Sequence, residues 1–478
     1  MEFQTVIGLE VHVELNTKSK IFCGCSTEFG AEPNTEVCPV CLGLPGALPV
    51  LNKKVVDYAI KTGLALNCDI ARYTMMDRKN YFYPDSPKNY QITQDRFPIC
   101  REGNVEIELG NGEKKSIGIE RIHMEDDAGK LIHNEKETFI DFNRAGVPLL
   151  EIVSKPHMNS AEEAILYVEK LRSILTCIGV SDCKMEEGSL RVDLNISVKQ
   201  VESKELGVRA EIKNLNSFKF LEKAVNYERE RQIKAIENNE VLFMETRRWD
   251  EKNNITLSMR NKEEAQDYRY FPEGDILEMI ISEKEIEDIK STIPELEHEK
   301  KDRFIKEYNL SNYDASVLSK DYKLAHFFEK TVKSCKDSKA AVNWIMGDIS
   351  CYLNENKLEL NETKLKAENL GELIKLIKDK VISSTIGKKI LVNIIEEGKS
   401  PKDIVKEKGL IQNNDEKAIL EMIRGILSKN QDKVKEYLEG KGNLYTWFVG
   451  QIMKESRGKA NPSIVNKLLK SEIENNFK

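Results

Sequence analysis

The stretch from Gly8 to Leu15 alternates apolar and polar residues, which is the pattern of a half-buried β-strand. Successive side chains of a strand point to opposite sides, so Glu10, His12 and Glu14 share one face. The opposite face carries Leu9, Val11, Val13 and Leu15. Two carboxylates beside an imidazole are ligands for a hard divalent cation such as Mg²⁺. A solvated strand face is the alternative.

Later stretches repeat this pattern and supply more acids. Antiparallel strands are predicted over residues 105–140, with a hairpin turn at Gly110-Asn111-Gly112, and Arg121, His123 and Glu125 share one face there. Glu151 lies inside an otherwise apolar strand, where a glutamate needs a cation or a hydrogen-bond network. Two further stretches alternate in the same way and contain Arg191, Asp193 and Asn195, then Arg209, Glu211 and Lys213.

Helical patterns lie between these strands and then replace them. Asn52 is placed to cap one helix, Ser160-x-x-Glu163 is a capping box for a second, and residues 214–217 open a third that runs to about Asn239. After about residue 290 the chain is rich in Lys, Glu, Leu and Ile at helical spacing, with breaks at Pro294 and Ser400-Pro401. The chain therefore changes from strands with helices to helices alone.

The length, the apolar runs and the net charge of the chain limit the classes of protein to which it can belong. A chain of 478 residues is long enough for about three domains. It contains no apolar run long enough to cross a bilayer, and strand patterning begins directly after Met1-Glu2-Phe3, so we expect a cytoplasmic protein without a targeting segment. The net charge of −7 argues against a surface that is basic throughout.

One local basic stretch stands out against this charge. Residues 441–470 contain six basic residues and one acid, a local charge of +5. Lys454, Arg457 and Lys459 precede Asn461-Pro462, which is a helix cap followed by a first-turn proline. A basic loop beside a helix N-terminus suits a nucleic-acid backbone. A solvated basic face is the alternative.

Four of the ten cysteines are clustered as two close pairs, Cys23-Gly24-Cys25 and Cys38-Pro39-Val40-Cys41. This arrangement predicts a tetrahedral four-thiolate Zn²⁺ site with a structural role, because four protein ligands leave no open position. Four free thiols in a loop are the alternative.

Residues 77–91 combine aromatic residues, two prolines and the cations Arg78, Lys79 and Lys88. The composition predicts an ordered loop that binds a phosphate or a charged substrate, or else a loop packed by its aromatic residues.

The sequence has no common phosphate-binding loop, dinucleotide fingerprint or nucleophile elbow, and no glycine-serine tract of the kind that holds an amidase serine. A nucleotide site here would be of an uncommon type, and any ammonia would come from another chain.

Taken together, the motifs resemble the B subunit of the tRNA-dependent amidotransferase, the enzyme that amidates Glu-tRNA(Gln) and Asp-tRNA(Asn). The resemblance covers essentially the whole chain. Besides the first strand and the four cysteines, the matching stretches are Tyr81-Phe82-Tyr83-Pro84-Asp85, His123-Met124-Glu125-Asp126-Asp127-Ala128-Gly129, Asp141–Leu149, Glu211–Phe218, Asp267–Glu273, Gly450–Lys454 and Gly458–Pro462.

The resemblance implies an α+β chain in three domains. These are an antiparallel-sheet cradle domain over residues 1–290 with a zinc knuckle at 23–41, a helical domain over 291–405 and a small helical tail domain over 406–478 that contacts tRNA. It implies a complex with an amidase subunit, which releases ammonia from glutamine, and with a small third subunit. ATP would phosphorylate the side-chain carboxylate of the mischarged aminoacyl-tRNA, and ammonia would displace the phosphate.

The resemblance also assigns residue roles, and these are our predictions. The Mg²⁺ ligands are Glu10, His12, Glu125, Glu151, Asp193 and Glu211. The predicted catalytic residues are Glu10, His12, Glu125, Asp193 and Tyr81. Lys79, Lys88 and Arg247 steady phosphates, with a salt-bridged role as the alternative for each, and Tyr81 orients the substrate carboxylate. Lys454, Arg457 and Lys459 contact tRNA. The rival functions are a tRNA-binding scaffold without chemistry and a free-standing ATP-dependent amide ligase.

Overall fold

A computed structural model describes residues 2–134, 136–261, 268–410, 415–456 and 460–476. The chain divides into two compact units, Met1–Leu296 and Glu297–Lys478. All the described strands belong to the first unit, and the described elements of the second unit are helices. The predicted α+β class, with sheet first and helices afterwards, is confirmed.

The first unit is built on one large sheet. Its strands are β1 (Phe3–Glu14), β2 (Asp69–Ile70), β3 (Tyr73–Thr74), β4 (Asp77–Asn80), β5 (Tyr90–Thr93), β6 (Cys100–Glu108), β7 (Lys114–Asp126), β8 (Lys130–His133), β9 (Thr138–Asp141), β10 (Pro148–Ser154), β11 (Leu190–Gln200), β12 (Ala210–Lys213), β13 (Glu245–Asp250), β14 (Ile255–Asn261), β15 (Phe271–Pro272) and β16 (Met279–Ile280). Nine of them form a sheet in the order β14-β13-β12-β11-β1-β10-β7-β6-β2. Only β12 and β13 pair in parallel there, and the alternating strand found first in the sequence is the central strand.

The smaller sheets correct one prediction. The segment 77–91, predicted as an ordered loop, contains β4 and the start of β5, and β4 pairs with both β5 and β15. The sequence of β4, Asp77-Arg78-Lys79-Asn80, has no apolar residue and so no alternation that would indicate a strand. The other two small sheets are β16-β3 and β8-β9.

Helices cover one face of the large sheet. They are α1 (Lys53–Ala65), α2 (Ala161–Cys177) and α3 (Phe218–Glu237), and α4 (Glu283–Lys290) packs against α1. The predicted helix starts are confirmed, because the side chains of Asn52, Ser160 and Ser217 each accept a hydrogen bond from a first-turn backbone N–H. The capping box at Ser160 is half formed, because the Glu163 carboxylate accepts from the backbone N–H of Asn159 instead of that of Ser160. Leu9, Val11 and Val13 are almost fully buried in the core that these helices share with the sheet. The polar side chains of the same strands are therefore left on the other face.

The second unit contains α5 (Glu297–Tyr308), α6 (Asn312–Lys320), α7 (Tyr322–Cys335), α8 (Ser338–Trp344), α9 (Ser350–Asn356), α10 (Ala367–Lys378), α11 (Ser384–Glu397), α12 (Pro401–Glu407), α13 (Glu416–Lys429), α14 (Gln431–Leu438), α15 (Asn443–Glu455) and α16 (Pro462–Asn476). A π-helical turn, Ile345–Ile349, joins α8 to α9. Two separate apolar clusters hold these helices, one within residues 304–405 and one within residues 419–473. In the described parts of both units, every helix falls short of the length or apolarity that a membrane span requires.

Candidate active site

Strand register brings the predicted acids together on the face of the sheet opposite the helices. His12 of β1 lies across from Glu151 of β10, which lies across from His123 of β7. On the other side of β1, Glu10 lies across from Asp193 of β11. Acids and histidines that are far apart in the sequence therefore form two neighbouring groups.

The first group consists of His12, Glu125 and Glu151, whose ligand atoms all lie within 4.8 Å of one another. His12 Nε2 is 3.7 Å from Glu125 Oε1 and 3.4 Å from Glu151 Oε2. His123 of the neighbouring strand β7 also contacts this group, because its Nε2 lies 3.2 Å from Glu151 Oε2. Glu125 and Glu151 are both buried. Two carboxylates and an imidazole at this spacing are a donor set for Mg²⁺ or a similar cation.

The protonation of this group is set by its own charges. Burial alone would lower the pKa of His123, but the charges of Glu151 and Glu125 and their hydrogen bonds raise it to about 9. The pKa of His12 is raised against burial by Glu151 and Glu125 in the same way. Burial would raise the pKa of Glu151, but the two histidines hold it well below its usual range. A proton on His123, together with the raised pKa of His12, therefore offsets charge on the carboxylates, and a metal ion would take the place of that positive charge.

The second group consists of Glu10, Asp193 and Glu211, again with ligand atoms within 4.8 Å of one another. Lys213 Nζ bridges two of them, at 2.8 Å from Asp193 Oδ2 and 2.9 Å from Glu211 Oε1. Burial and the charge of Glu151 raise the pKa of Glu10, although Asn195 donates a hydrogen bond to its carboxylate at 2.9 Å. Three carboxylates share one ammonium here, so the donor set also suits a divalent cation.

Both groups open into one cavity of about 390 Å³. Tyr268 and Tyr270 line it, together with the amides Gln94 and Asn195. Its lining cations are Lys79, Arg121, Arg209 and Lys213. The Lys79 ammonium lies 5.0 Å from the centre of the Tyr268 ring. Burial would lower the pKa of Lys79, but the charge of Glu125 raises it. A cavity lined by both acids and cations suits an anionic substrate bound through a metal ion.

The other predicted substrate contacts lie elsewhere. Lys88 forms an ion pair with the buried Asp126 and lines a second, smaller cavity. Arg247 donates to Glu245 Oε1 at 2.6 Å and to the hydroxyl of Thr256 at 2.8 Å. These contacts hold Lys88 and Arg247 in ion pairs, which is the alternative that the sequence left open for each residue. Neither residue lines the large cavity.

Tyr81 follows β4 and is half-buried, and it is not among the residues that line the large cavity. Burial is the main reason that the pKa of its hydroxyl is raised to about 12, so the group is neutral at physiological pH.

Sequence reasoning missed the parts that His123 and Lys213 play in the site. His123 is two residues from Glu125, and Lys213 is two residues from Glu211, so each shares a strand face with a predicted acid. This shared face was the signal in the sequence that could have identified both residues. What the sequence could not show is that His123 meets Glu151 of the neighbouring strand.

The four cysteines of the predicted zinc site form a third group, with all four sulfur atoms within 4.8 Å of one another. Hydrogen bonding from Cys23, and then from the backbone of Cys38, with the charge of Lys20, lowers the pKa of Cys41 to about 4. Burial and a hydrogen bond with Cys38 raise the pKa of Cys25 to about 11. Four converging sulfurs are the donor set of a structural Zn²⁺ site.

Of the predicted tRNA contacts, Lys454 lies in the last turn of α15. Arg457 and Lys459 lie outside the described residues.

Comparison with known proteins gives consistent matches over the whole chain. Residues 5–287 match the model of the GatB/GatE catalytic domain, and residues 326–473 match that of the GatB domain. The B subunit of the aspartyl/glutamyl-tRNA(Asn/Gln) amidotransferase from Clostridium tetani (strain Massachusetts / E88) is 62% identical over 473 residues, which is 99% of both chains. The protein of the same name from Clostridium botulinum (strain 657 / Type Ba4) is 59% identical over 472 residues, again 99% of both. The chain therefore belongs to the GatB/GatE family.

Proposed function

We propose that this chain is the B subunit of a tRNA-dependent amidotransferase and that it carries the site that amidates the aminoacyl-tRNA. The observation that carries the proposal is the pair of carboxylate groups in one cavity, His12–Glu125–Glu151 and Glu10–Asp193–Glu211. It is supported by 62% identity to a relative whose name states this activity. The reaction converts Glu-tRNA(Gln), Asp-tRNA(Asn) or both into the corresponding amide.

The reaction has two steps. A side-chain carboxylate oxygen of the aminoacyl-tRNA attacks the terminal phosphorus of ATP, and the bond to ADP breaks. Ammonia then attacks the carbonyl carbon of the acyl phosphate, inorganic phosphate leaves, and the nitrogen loses a proton to give the amide. The phosphoryl transfer needs positioning and charge neutralisation more than covalent help from the protein.

The residues of the cavity fit those needs. We assign Glu10, His12, Glu125, Glu151, Asp193 and Glu211 as Mg²⁺ ligands. Their carboxylates are crowded, since burial and then the charge of Glu151 raise the pKa of Glu10, and the carboxylates in turn raise the pKa values of His12 and His123. Bound Mg²⁺ would neutralise phosphate oxygens of ATP.

Among the cations, we assign a phosphate contact to Lys79. It lines the cavity, and its ammonium lies over the ring of Tyr268. The ion pairs of Lys88 and Arg247 favour a structural role for both. We retain Tyr81 as a candidate for orienting the substrate carboxylate, because the charge of Lys79 acts on its hydroxyl.

We infer that the chain acts with an amidase subunit and a small third subunit. The word subunit in the names of its relatives supports a complex, and the sequence lacks the motifs of an amidase. Because its substrate is an aminoacyl-tRNA used in protein synthesis, we place the complex in the cytoplasm.

For the rest of the chain we keep the predicted division into 1–290, 291–405 and 406–478. The two separate apolar clusters of the helical unit support the boundary near 405. We propose that the last part binds tRNA through Lys454, Arg457 and Lys459. The four cysteines would hold a structural Zn²⁺, which the convergence of their sulfurs supports.

The proposal is tested by reconstituting the chain with the two other subunits and supplying glutamine, Mg²⁺, ATP and Glu-tRNA(Gln). The amino acid released from the tRNA afterwards is identified by chromatography. We expect glutamine with wild type and glutamate with Glu125→Ala, although the amidase subunit still hydrolyses glutamine in both. Amidation by the variant at the wild-type rate would contradict the proposal and favour a scaffold without chemistry.

A further inference from the structure

The cations of the large cavity differ in how firmly they are held. Lys213 is fixed between Asp193 and Glu211. The Lys79 ammonium lies over the ring of Tyr268, and the negative charge of Glu125 stabilises its positive charge. Arg121 lines the same cavity, and its carboxylate partner among the described residues is the exposed Glu120.

The one ion pair that Arg121 makes within the described part of the chain is weak. Its Nη1 lies 3.5 Å from Glu120 Oε1, the carboxylate of the preceding residue, and the Glu120 side chain is 55% exposed. Exposed pairs of this kind contribute little. The Nε–H of Arg121 is buried and has no hydrogen-bond acceptor among the described residues. A buried donor without an acceptor is costly, so this guanidinium is not satisfied by the protein alone.

The neighbouring strand β6 gives a second reason why Arg121 is not satisfied by the protein alone. Arg101 of β6 lies directly across from Arg121 of β7. Like charges in cross-strand positions repel each other. Neither register nor hydrogen bonding therefore explains Arg121 as a structural residue, whereas a bound anion would relieve the repulsion and supply acceptors.

Register also relates Arg121 to the acids. In one row across the sheet, Arg121 lies opposite Val153, Val153 lies opposite Glu10, and Glu10 lies opposite Asp193. Two strand spacings, roughly 10 Å, separate the backbone of Arg121 from that of Glu10. The residue between them, Val153, is uncharged. The row thus presents a guanidinium and carboxylates on either side of a gap, into which a phosphoryl group coordinated by the acids through a metal ion would fit.

We propose that Arg121 contacts the phosphoryl group as it passes from ATP to the substrate carboxylate. This inference rests on the proposed function and adds to it a residue that binds the transferred group. A planar guanidinium with several donors matches the oxygens of a phosphoryl group better than an ammonium does. An arginine in this role acts mostly on the transition state, because charge accumulates on those oxygens during transfer.

The test uses the reconstituted three-subunit complex with Mg²⁺, ATP and Glu-tRNA(Gln), and it measures ADP release. The variants are Arg121→Gln and Arg121→Lys, with Arg101→Gln as the matched control, since Arg101 is the cross-strand neighbour and does not line the cavity. We expect Arg121→Gln to lower kcat at saturating ATP by at least about a hundredfold. Arg121→Lys should recover only part of this, and Arg101→Gln should stay within about twofold of wild type.

A second readout separates a phosphoryl contact from a general loss of binding. Affinities for ADP and for ADP with aluminium fluoride, a mimic of the transferred group, are measured in the presence of Mg²⁺ and the aminoacyl-tRNA. Arg121→Gln should weaken the aluminium fluoride complex by at least about tenfold and leave ADP binding nearly unchanged.

Three results would overturn the assignment. A normal kcat for Arg121→Gln would show that the residue does not act in the transfer. A raised KM for the aminoacyl-tRNA, with unchanged binding of ADP and aluminium fluoride, would assign Arg121 to a tRNA phosphate instead. If the wild-type complex released no ADP in response to the tRNA, the proposed function would fail, and this inference would fail with it.

Discussion

His12 and Glu151 face each other across the two central strands, and His12 Nε2 lies 3.4 Å from Glu151 Oε2. The same carboxylate oxygen lies 3.2 Å from His123 Nε2. Glu151 is therefore the residue on which two imidazoles converge. Its position inside an apolar strand is explained by these partners, because a buried carboxylate is stable only when it is paired.

Replacing this carboxylate tests whether the group holds a cation. We expect Glu151→Gln to keep the fold, since the amide has the same shape, and to lower the rate of ADP release by at least about a hundredfold. The concentration of Mg²⁺ needed for half-maximal rate should rise. Glu120→Gln, on an exposed side chain of β7, is the control and should behave like wild type. Unchanged Mg²⁺ dependence in Glu151→Gln would remove Glu151 from the ligand set.

The pH dependence of metal binding follows from the raised pKa values of the histidines. The pKa of His123 is about 9, against an ordinary value of 6.5, and that of His12 is also raised. In the metal-free protein the His123 imidazole is therefore protonated at pH 7, the shift at His12 is in the same direction, and a cation has to displace that positive charge. Affinity for Mg²⁺ should thus rise with pH between about 7 and 9, by up to about tenfold per pH unit for each proton released.

Isothermal titration calorimetry with Mg²⁺ at pH 7, 8 and 9 measures this slope. His123→Gln removes the proton of this imidazole, so the affinity of the variant for Mg²⁺ should change less steeply with pH than that of wild type. An affinity that is constant from pH 7 to pH 9 would show that the histidine protons and the metal do not compete.

Lys20 links the thiolate cluster to the rest of the fold. Its side chain is fully buried, and its Nζ donates to the carbonyl of Glu36 at 2.8 Å and lies 3.7 Å from Cys41 Sγ. Because a Zn²⁺ site with four thiolates carries a net negative charge, this buried ammonium stabilises the loaded cluster. Lys20→Met should therefore release Zn²⁺ to a chelator at least about tenfold faster than wild type.

The rate of release is followed with a coloured zinc chelator, and the exposed Lys18 gives the control variant Lys18→Met. Equal rates for Lys20→Met and wild type would show that the ammonium does not support the metal. Absence of zinc from the purified wild-type chain would instead contradict the zinc site itself.

The tail is tested by truncating the chain before Asn443, which removes α15 and α16 with their basic residues. We expect KM for the aminoacyl-tRNA to rise by about tenfold or more, and ADP release at saturating substrates to change far less. A triple charge reversal at Lys454, Arg457 and Lys459 should have the same effect without removing a helix. Equal loss of both quantities would count against a tRNA-binding tail.

Much of the first unit could be predicted from local patterns. The alternation around Val11 indicated a strand, the caps at Asn52 and Ser160 indicated helix starts, and the change in composition near residue 290 indicated the end of the sheet region. These are short-range signals that depend on a few neighbouring residues. The pairing of distant strands is not encoded in that way, so the order of the nine strands could not be read from the pattern alone.

The same limit applied to the site. Alternation placed Glu10 and His12 on one face, and the structure brings both to the cavity with the other predicted acids. Alternation could not show which cations contact a substrate and which form ion pairs within the protein. A lysine or arginine in a strand follows the same pattern in both cases. The sequence predicts a phosphate contact for Arg247, which the structure holds against Glu245, and it predicts no role for Arg121, which lines the cavity.

Release of ADP shows whether the acids of the cavity form the site at which ATP is used. The reconstituted complex is given Mg²⁺ and ATP, with and without Glu-tRNA(Gln), and wild type is compared with Glu10→Ala and Glu125→Ala. We expect ADP only when wild type meets the mischarged tRNA, and no ADP from either variant while the amidase partner still hydrolyses glutamine. Normal ADP release by both variants would contradict this expectation and would place the use of ATP outside this cavity.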